Sequence, residues 1–360
     1  MNRGLRHAAD SYDVVVLGAG AGGMSAAVFA ALEGARVLLV ERTEYLGGTS
    51  AFSAATTWIP LTHHARTVGA EDSYDKVLGY LDNAVGNRAP RAMREAFLKA
   101  GPGVVAELER RTEMKFRPRP LHPDYLSELE GSTACGRALE PEPFDARSLG
   151  DALKLIRPPI PEFTILGGMM IDRDDIPHLL RMGKSLESTV YSAKLIGKYY
   201  ISRLRYGRDT RLVMGNALIG RMLASALRLG VHILTETETV ALRSENGAVT
   251  GLTLRQNGET RDITVAGGIV LASGGFARHP RMRQEKLPHP VPEYSPSAPG
   301  HTGALHDLAF ELGAHHGEEA AQPCFWAPCS IRRRPDGTMA VFPHFVLDRS
   351  KPGIIAVGRD

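Results

Sequence analysis

Three glycines and one glutamate have the spacing of a dinucleotide-binding site. Gly18, Gly20 and Gly23 form the pattern G-x-G-x-x-G between an aliphatic segment and a run of small residues. Glycines at these positions permit a tight turn, close approach of a pyrophosphate to the backbone, and close packing of a helix on a strand. Glu41 follows 23 positions after Gly18 and can accept hydrogen bonds from both hydroxyls of a ribose. Together these residues predict a nucleotide cofactor whose phosphates lie at a helix N-terminus.

The residues that follow Glu41 indicate which cofactor is bound. Arg42 could pair with a phosphorylated ribose, but Glu41 would repel a 2′-phosphate, so we expect Arg42 to be solvated near the adenine. The segment from Gly47 to Ser50, GGTS, adds a glycine pair and two hydroxyls. In an NAD enzyme this segment has no reason to return to the pyrophosphate. In FAD the ribityl chain and the flavin ring continue beyond the phosphates, so the segment favours FAD.

A βαβ unit must position these residues. Residues 12–17 and 35–41 have the aliphatic pattern of strands buried in a parallel sheet, and residues 24–34 have the pattern of a helix rich in small residues. Helical character returns over residues 172–230. Within it, residues 187–208 fit an amphipathic helix of the domain better than a membrane-surface segment. The pattern as a whole predicts an α/β, Rossmann-like fold.

Three other segments predict separate elements. Residues 90–101 and 104–112 predict two helices interrupted by a Gly-Pro-Gly break. The segments between residues 231 and 265 predict short antiparallel hairpins, because strand-like pieces alternate with turn residues. A buried strand is expected at residues 267–277, where an aliphatic run opens into glycines.

The composition disfavours several classes of partner. The chain has 360 residues and a net charge of +3, without a sustained Lys/Arg block, so we expect no nucleic-acid partner. No apolar run is long enough to span a bilayer, and three cysteines make no disulfide framework. We therefore expect a cytoplasmic protein without an integral membrane segment. The adjacent pairs His63-His64 and His315-His316 lack the i, i+4 spacing of helical ligands, so we expect no metal site.

Five motifs resemble those of one family of flavoproteins. LGAGAGGMSAA, VERTEYLGGTS, SAATTWIP, GNALIG and IVLASGGF are similar to motifs of the fumarate reductase and 3-ketosteroid dehydrogenase superfamily. The segments GGTSAFSAATTWIP, DYLSELEGSTACGR, SPSAPGHTG and KPGIIAV resemble the 3-ketosteroid Δ1-dehydrogenase branch more closely. The resemblance extends, in order, over essentially the whole chain.

The resemblance implies a domain organisation. It implies a glutathione-reductase-type FAD-binding domain over residues 1–285, with a helical and loop insertion at about residues 61–211. It also implies the N-terminal part of an α+β substrate domain over residues 286–360. In the family the substrate domain continues further and the chain then returns to the FAD domain. The resemblance therefore implies a C-terminal truncation.

The resemblance also implies the site residues. By position, the cofactor-binding residues would be Gly18, Gly20, Gly23, Glu41 and Arg42 around the ADP moiety, Gly47, Gly48, Thr49, Ser50 and Ser53 along the ribityl chain and flavin, Val240 at the adenine, and Ala272, Ser273 and Gly274 over the cofactor. The catalytic candidate is Tyr125, although the family's tyrosine falls either there or on Leu126. The alternative for Tyr125 is a loop aromatic that packs by its ring.

The implied reaction is dehydrogenation next to a ketone. In the family the flavin N5 takes a hydride from one carbon while a tyrosinate removes a proton from its neighbour. The implied substrate is a bulky apolar ketone such as a steroid, and the electron acceptor is unknown. One departure weakens the match, because His301 to Leu305, HTGAL, stands where the family has Asn-Thr-Gly-Asp-Gly, so the family's acid is missing. Two alternatives stay open: a fumarate-reductase-like enzyme for a small dicarboxylate, and an inactive truncated remnant that at most binds FAD.

Overall fold

The computed structural model describes residues 4–317 and 322–344. In chain order its strands are β1 Ser11–Leu17, β2 Val37–Val40, β3 Thr57–Trp58, β4 Phe116–Pro118, β5 Ala138–Pro141, β6 Phe144–Asp145, β7 Thr164–Ile165, β8 Met169–Met170, β9 Arg211–Leu212, β10 His232–Leu234, β11 Glu238–Glu245, β12 Ala248–Gln256, β13 Glu259–Leu271, β14 Cys329–Arg333 and β15 Met339–Pro343. Its α-helices are α1 Ala21–Leu32, α2 Tyr74–Val85, α3 Arg91–Arg111, α4 Asp175–Leu180, α5 Leu186–Tyr206, α6 Met214–Arg228, α7 Pro280–Lys286 and α8 Ala304–Glu311.

A six-stranded sheet with the order β10-β2-β1-β13-β12-β11 forms the centre of the molecule. β10, β2, β1 and the second half of β13 run parallel, and β12 and β11 are antiparallel additions at one side. The predicted βαβ unit is confirmed as β1, α1 and β2. All four residues of β2 are aliphatic and buried, as expected of a parallel strand covered on both faces, and the second half of β1, residues 14–17, is aliphatic as well.

Helices α1 and α6 pack together on one face of this sheet. Their contacts join the main hydrophobic cluster, whose central members are fully buried: Val16, Met24, Leu39, Ile219 and Leu223. Small residues on both helices permit this close approach, which explains why the sequence of α1 is so rich in alanine and glycine. The packing fixes the N-terminus of α1 directly beyond the carboxyl end of β1, where the cofactor site forms.

The predicted antiparallel hairpins are confirmed as β11–β12 and β12–β13, whereas three other parts of the prediction for this region are wrong. β13 is one strand: residues 259–264 pair antiparallel with β12, and residues 264–271 pair parallel with β1. β10 belongs to no hairpin, because it pairs parallel with β2. The end of β13 is not buried either, since Val270 and Leu271 are 38% and 47% exposed. Both residues line a cavity rather than pack against a neighbouring element.

The predicted break in the 90–112 region is also wrong, because α3 continues through Gly101-Pro102-Gly103. Proline in a helix interior removes one backbone hydrogen bond and crowds the preceding turn. Here the tertiary contacts outweigh that penalty: Leu98, Gly101, Val105 and Leu108 form one continuous buried face. The spacing of this face is helical across the glycines, so packing maintains the helix where local propensity disfavours it.

The chain between β2 and β10 forms most of the remaining structure. It contains α2 to α6 and several two- and three-stranded sheets, and the predicted amphipathic helix is confirmed as α5. After residue 286, α8 and the antiparallel hairpin β14–β15 follow. The proposed domain boundaries stay a prediction, and the KPGIIAV motif lies outside the described residues. Within the described ranges, no helix combines the length and apolar character needed to cross a membrane.

Candidate cofactor site

The glycine turn after β1 forms a tight strand-to-helix junction. Gly18 has φ +107°, and a Cβ there would lie 2.4 Å from the carbonyl oxygen of Ala272. A Cβ on Gly23 would lie 1.8 Å from the carbonyl oxygen of Gly18. Only glycine fits these two positions. Gly20 differs, because a Cβ on it would make only an ordinary contact, 3.7 Å from Ser50 Oγ, and this glycine lines the cavity as a ligand-contacting glycine should.

Glu41 is held at the carboxyl end of β2. Its carboxylate accepts hydrogen bonds from the N–H of Ala19, at 3.1 Å, and from the N–H of Thr43, at 2.9 Å. Glu41 is only 7% exposed, and the part that remains accessible lines the main cavity. The neighbouring Arg42 extends elsewhere: it is hydrogen-bonded to the Thr302 hydroxyl and lies 3.6 Å from Glu238 on β11.

The GGTS segment lies directly against the glycine turn. The N–H of Gly47 donates to the carbonyl of Ala19 at 2.8 Å, and Ser50 Oγ accepts from the N–H of Ala21 at 3.1 Å. The two motifs predicted to bind successive parts of one cofactor are therefore neighbours in space. Ser53 instead supports the turn: its hydroxyl donates to the carbonyl of Ser50 at 2.8 Å and does not line the cavity.

These motifs enclose a cavity of about 560 Å³. Its lining comprises Gly18, Ala19, Gly20, Ala21, Gly22, Glu41, Gly48, Thr49, Ser50, Arg157, Val270, Leu271, Ala272, Ser273, Gly274, Ala298, Gly300 and His301. The structure thus brings most of the predicted cofactor residues to one cavity. Gly23 and Gly47 lie behind this wall and shape the backbone. Val240 is half-buried on β11, next to Thr239, which lines a smaller adjoining cavity.

Arg157 is a cavity residue that the sequence does not reveal. It is 7% exposed, and its Nη2 donates to the Thr43 hydroxyl at 2.7 Å, while Nη1 makes no hydrogen bond to any described residue. Burial lowers the pKa of the Arg157 guanidinium, and the charge of Glu41 opposes this shift. The bridge between Leu46 and Ile156 places Arg157 here. No local motif encodes that contact, so only the fold reveals a cation in the cavity.

His301 lies between the cofactor cavity and a second one. Its Nε2 is 3.1 Å from Thr49 Oγ1, which also accepts a hydrogen bond from the N–H of Ala298 at 3.0 Å. Thr49 Oγ1 keeps a second lone pair and its hydroxyl hydrogen, so this contact suits a neutral His301 in either tautomer. Burial lowers the pKa of His301 and favours this neutral form. His301 is half-buried and lines both cavities.

The second cavity, of about 560 Å³, is lined largely by aromatic and apolar side chains. Its lining includes Phe276, Leu287, Tyr294, Pro323, Phe325, Trp326 and Ile331, together with His301 and Arg283. The Arg283 guanidinium is engaged by backbone carbonyls of Ala277 and Pro292. Among the described lining residues it is the only arginine. This cavity therefore suits an apolar ligand better than a dicarboxylate.

Tyr125 lies outside both cavities. It is 80% exposed, and the neighbouring Leu126 is 40% exposed. The loop is anchored by the preceding Asp124, which accepts hydrogen bonds from Arg137 and from the indole N–H of Trp58, both at 2.7 Å. The catalytic assignment of Tyr125 stays a prediction that no contact in the described residues supports.

The cavity geometry and the family comparison agree on the cofactor. A profile described as the FAD binding domain matches residues 13–360. The chain therefore belongs to this family, and its cofactor is FAD. The glycine turn, the carboxylate of Glu41, the GGTS segment and the cation of Arg157 fit the ribose, phosphates and ribityl chain of that group.

Two relatives of this chain are named as dehydrogenases that act on cyclic ketones. The chain is 32% identical, over 96% of its length, to the 4-oxocyclohex-2-ene-1-carboxylate 5-dehydrogenase of Sinomonas cyclohexanicum, of which it covers 59%. It is 31% identical, again over 96% of its length, to the 3-oxosteroid 1-dehydrogenase of Mycolicibacterium smegmatis, of which it covers 60%. The chain thus spans about three fifths of the length of these relatives.

Solved structures show the same relationship. The chain is similar, with a TM-score of 0.80 and 30% identity, to the 3-ketosteroid delta1-dehydrogenase from Sterolibacterium denitrificans in complex with 1,4-androstadiene-3,17-dione. The match covers 92% of this chain and 59% of that one. A flavocytochrome c3 fumarate reductase matches with a TM-score of 0.57 and 17% identity, which shows a shared fold alone. The predicted superfamily and the α/β fold are confirmed.

Proposed function

We propose that this chain is an FAD-dependent oxidoreductase that dehydrogenates a carbon–carbon bond next to the carbonyl of a bulky cyclic ketone. The observation that carries the proposal is the apolar, aromatic cavity that meets the cofactor cavity at His301. Bound FAD supplies a two-electron acceptor that takes a hydride from carbon at the flavin N5. The proton released from the adjacent carbon requires a base, for which Tyr125 stays the sequence-based candidate.

Each part of the cofactor cavity has a role in this proposal. Glu41 accepts hydrogen bonds from the ribose hydroxyls, and the backbone of Gly18 and Gly20 with the N-terminus of α1 receives the phosphates. The segment from Gly48 to Ser50 borders the ribityl chain. Residues 1–285 would form the FAD-binding domain and residues 286–360 the beginning of the substrate domain.

Substrate binding is assigned to the second cavity. The aromatic side chains of Phe276, Phe325 and Trp326 offer apolar faces to a fused or single carbocycle. The neutral His301 adds a polar group at the boundary between the two cavities, where a carbonyl next to the reacting carbons would lie. The named relatives act on a 3-oxosteroid and on an oxocyclohexene carboxylate, and both substrates are cyclic ketones.

The fumarate-reductase-like alternative lacks a corresponding site. Reduction of a small dicarboxylate needs at least two cationic groups directed at its carboxylates. Of the described residues that line the second cavity, Arg283 alone is an arginine, and its guanidinium already donates to backbone carbonyls. The ketone assignment is therefore the better supported of the two.

The test measures cofactor binding and turnover separately. The chain is purified and its FAD content is measured by absorbance after denaturation. Oxidation of a 3-oxosteroid and of a 4-oxocyclohexene carboxylate is then followed with an artificial electron acceptor. Turnover that falls at least tenfold in Trp326→Ala, with FAD content unchanged, would support the proposal. FAD binding without turnover of either ketone would reject it and favour the inactive remnant.

A reducing compartment such as the cytoplasm forms part of the same proposal. All three cysteines are free thiols: Cys135, Cys324 and Cys329. Free, partly buried thiols are typical of proteins kept under reducing conditions. The proposed partners are a small ketone and an unidentified electron acceptor. Fractionation of the cells that express the chain tests the location.

A further inference from the structure

Two histidines and one glutamate meet at a site that lines neither of the two cavities. His63 Nε2 lies 3.1 Å from Glu109 Oε2, and His64 Nε2 lies 3.0 Å from the same oxygen. One ligand atom from each residue lies within 4.8 Å of the other two. The adjacent histidines alone predict no metal site, because they do not share a helix face. The structure supplies the third group from α3.

The separations match those between ligands of one metal ion. Two ligand atoms at about 2.0 to 2.1 Å from a tetrahedral Zn²⁺ are about 3.3 Å apart. The two N···O separations at this site are within 0.3 Å of that value, at 3.0 and 3.1 Å.

Glu109 is oriented in the way that metal-binding carboxylates are oriented. Its second oxygen, Oε1, accepts a hydrogen bond from the N–H of Phe116 at 2.9 Å. This contact fixes the carboxylate plane and leaves Oε2 directed at both imidazoles. Groups that hold a ligand in this way usually accompany genuine metal sites and raise their affinity.

Burial at the site leaves an entry path. The side chains of His64 and Glu109 are each 14% exposed, whereas that of His63 is 56% exposed. An ion could therefore enter past His63 and keep a water molecule as its fourth ligand. His63 and His64 lie in the turn after β3, so the ion would fasten that turn to the C-terminal part of α3.

We propose that His63, His64 and Glu109 bind one divalent transition-metal ion of the Zn²⁺ type. Imidazole nitrogen and carboxylate oxygen are the ligand types that this ion accepts, and two histidines with one carboxylate form a recurrent set. The role of the ion is structural, because it joins the turn after β3 to the C-terminal part of α3. Because it binds the folded state, it increases stability as its concentration rises above the dissociation constant.

The test uses the full chain with FAD bound, after treatment with a chelator. Zn²⁺ is titrated in by calorimetry, and the visible spectrum of the Co²⁺ form reports coordination. We expect one ion per chain. We expect at least tenfold weaker binding in His63→Ala and in Glu109→Gln. The matched control is His315→Ala, which removes an exposed histidine that belongs to no described cluster, and it should bind as the wild type does.

Stability gives a second readout that does not depend on activity. Saturating Zn²⁺ should raise the unfolding midpoint of the wild type and of His315→Ala equally, and should raise that of Glu109→Gln by clearly less. His63 is half-exposed, so His63→Ala should fold even if a more buried variant does not. Absence of stoichiometric Zn²⁺ binding, or equal loss of binding in His315→Ala, would overturn the proposal.

Discussion

Glu41 and Arg157 lie in the same cavity, but only one of them is visible in the sequence. Glu41 follows a strand at a fixed distance from the glycine turn, so local pattern identifies it. Arg157 reaches the cavity through the long-range bridge between Leu46 and Ile156, which no spacing rule encodes. Residues on the regular βαβ unit are therefore predictable. Residues supplied by the chain between β2 and β10 depend on tertiary contacts and cannot be predicted in this way.

The first prediction concerns a single residue, Arg157. Its Nη1 has no hydrogen-bond partner among the described residues, so we expect it to donate to an anionic or polar group of FAD. Arg157→Met should weaken FAD binding roughly 10- to 100-fold, because a hydrogen bond to a charged group contributes about 1.5 to 3 kcal/mol. Fluorescence titration of the apoprotein with FAD measures this change.

A matched variant separates binding from folding. Arg208 is a half-buried arginine whose pKa is also lowered by burial, and it donates to the carbonyl of Ile156 at 2.8 Å without lining the cofactor cavity. Arg208→Met should reduce stability but leave the FAD affinity of the folded protein within twofold. Equal losses of affinity in both variants would show that Arg157 acts only through the fold.

Tyr125 gives the second prediction. Since its side chain is 80% exposed, Tyr125→Phe should change the free energy of unfolding by less than about 0.5 kcal/mol and should not change FAD affinity. Turnover of a ketone substrate then decides its role. A fall in kcat alone would support the catalytic hypothesis carried by the sequence. Unchanged kcat would leave Tyr125 as a surface aromatic.

The elements show where local patterns predict structure and where they do not. β1, α1 and β2 follow their patterns closely because each is continuous and fully buried on its core side. β13 does not, because Gly267 and Gly268 suggest an interruption. In the structure this pair lies at a register shift opposite Tyr12 and Val14, so it forms an irregularity within one strand. A glycine pair therefore predicts irregular backbone, but it does not indicate whether the strand ends there.

Helix α3 gives the third prediction, because its two glycines have opposite surroundings. A Cβ on Gly103 would meet no atom within 4 Å, whereas one on Gly101 would lie 3.0 Å from Ile59 Cγ2. Gly103→Ala should therefore stabilise the protein by about 0.5 to 1 kcal/mol through helix propensity. Gly101→Ala should lose this gain or destabilise. Denaturant unfolding of both variants measures the difference, and equal stabilisation would contradict the packing argument.

At the scale of the whole molecule, Glu162, which lies between β6 and β7, forms ion pairs with Arg334 and Arg332 of the β14–β15 hairpin. Glu162 accepts two hydrogen bonds from Arg334, one from Nε and one from Nη2, each at 2.9 Å. The rings of Phe163 and Phe342 pack beside this pair, with centroids 4.7 Å apart. These contacts connect segments far apart in sequence. They hold β14–β15 against the chain near residue 162.

This pair gives the last prediction, a loss of hairpin docking in acid. The hydrogen bonds from Arg334 lower the pKa of Glu162 from 4.5 to about 2. A carboxyl group whose pKa is lower in the folded state stabilises that state fully above its unfolded pKa. The contribution therefore disappears as the pH falls from about 4.5 to about 2. A double-mutant cycle with Glu162→Gln and Arg334→Gln should show a favourable coupling energy at pH 6 that vanishes near pH 2. A coupling energy that does not change with pH would refute the assignment of this shift to Arg334.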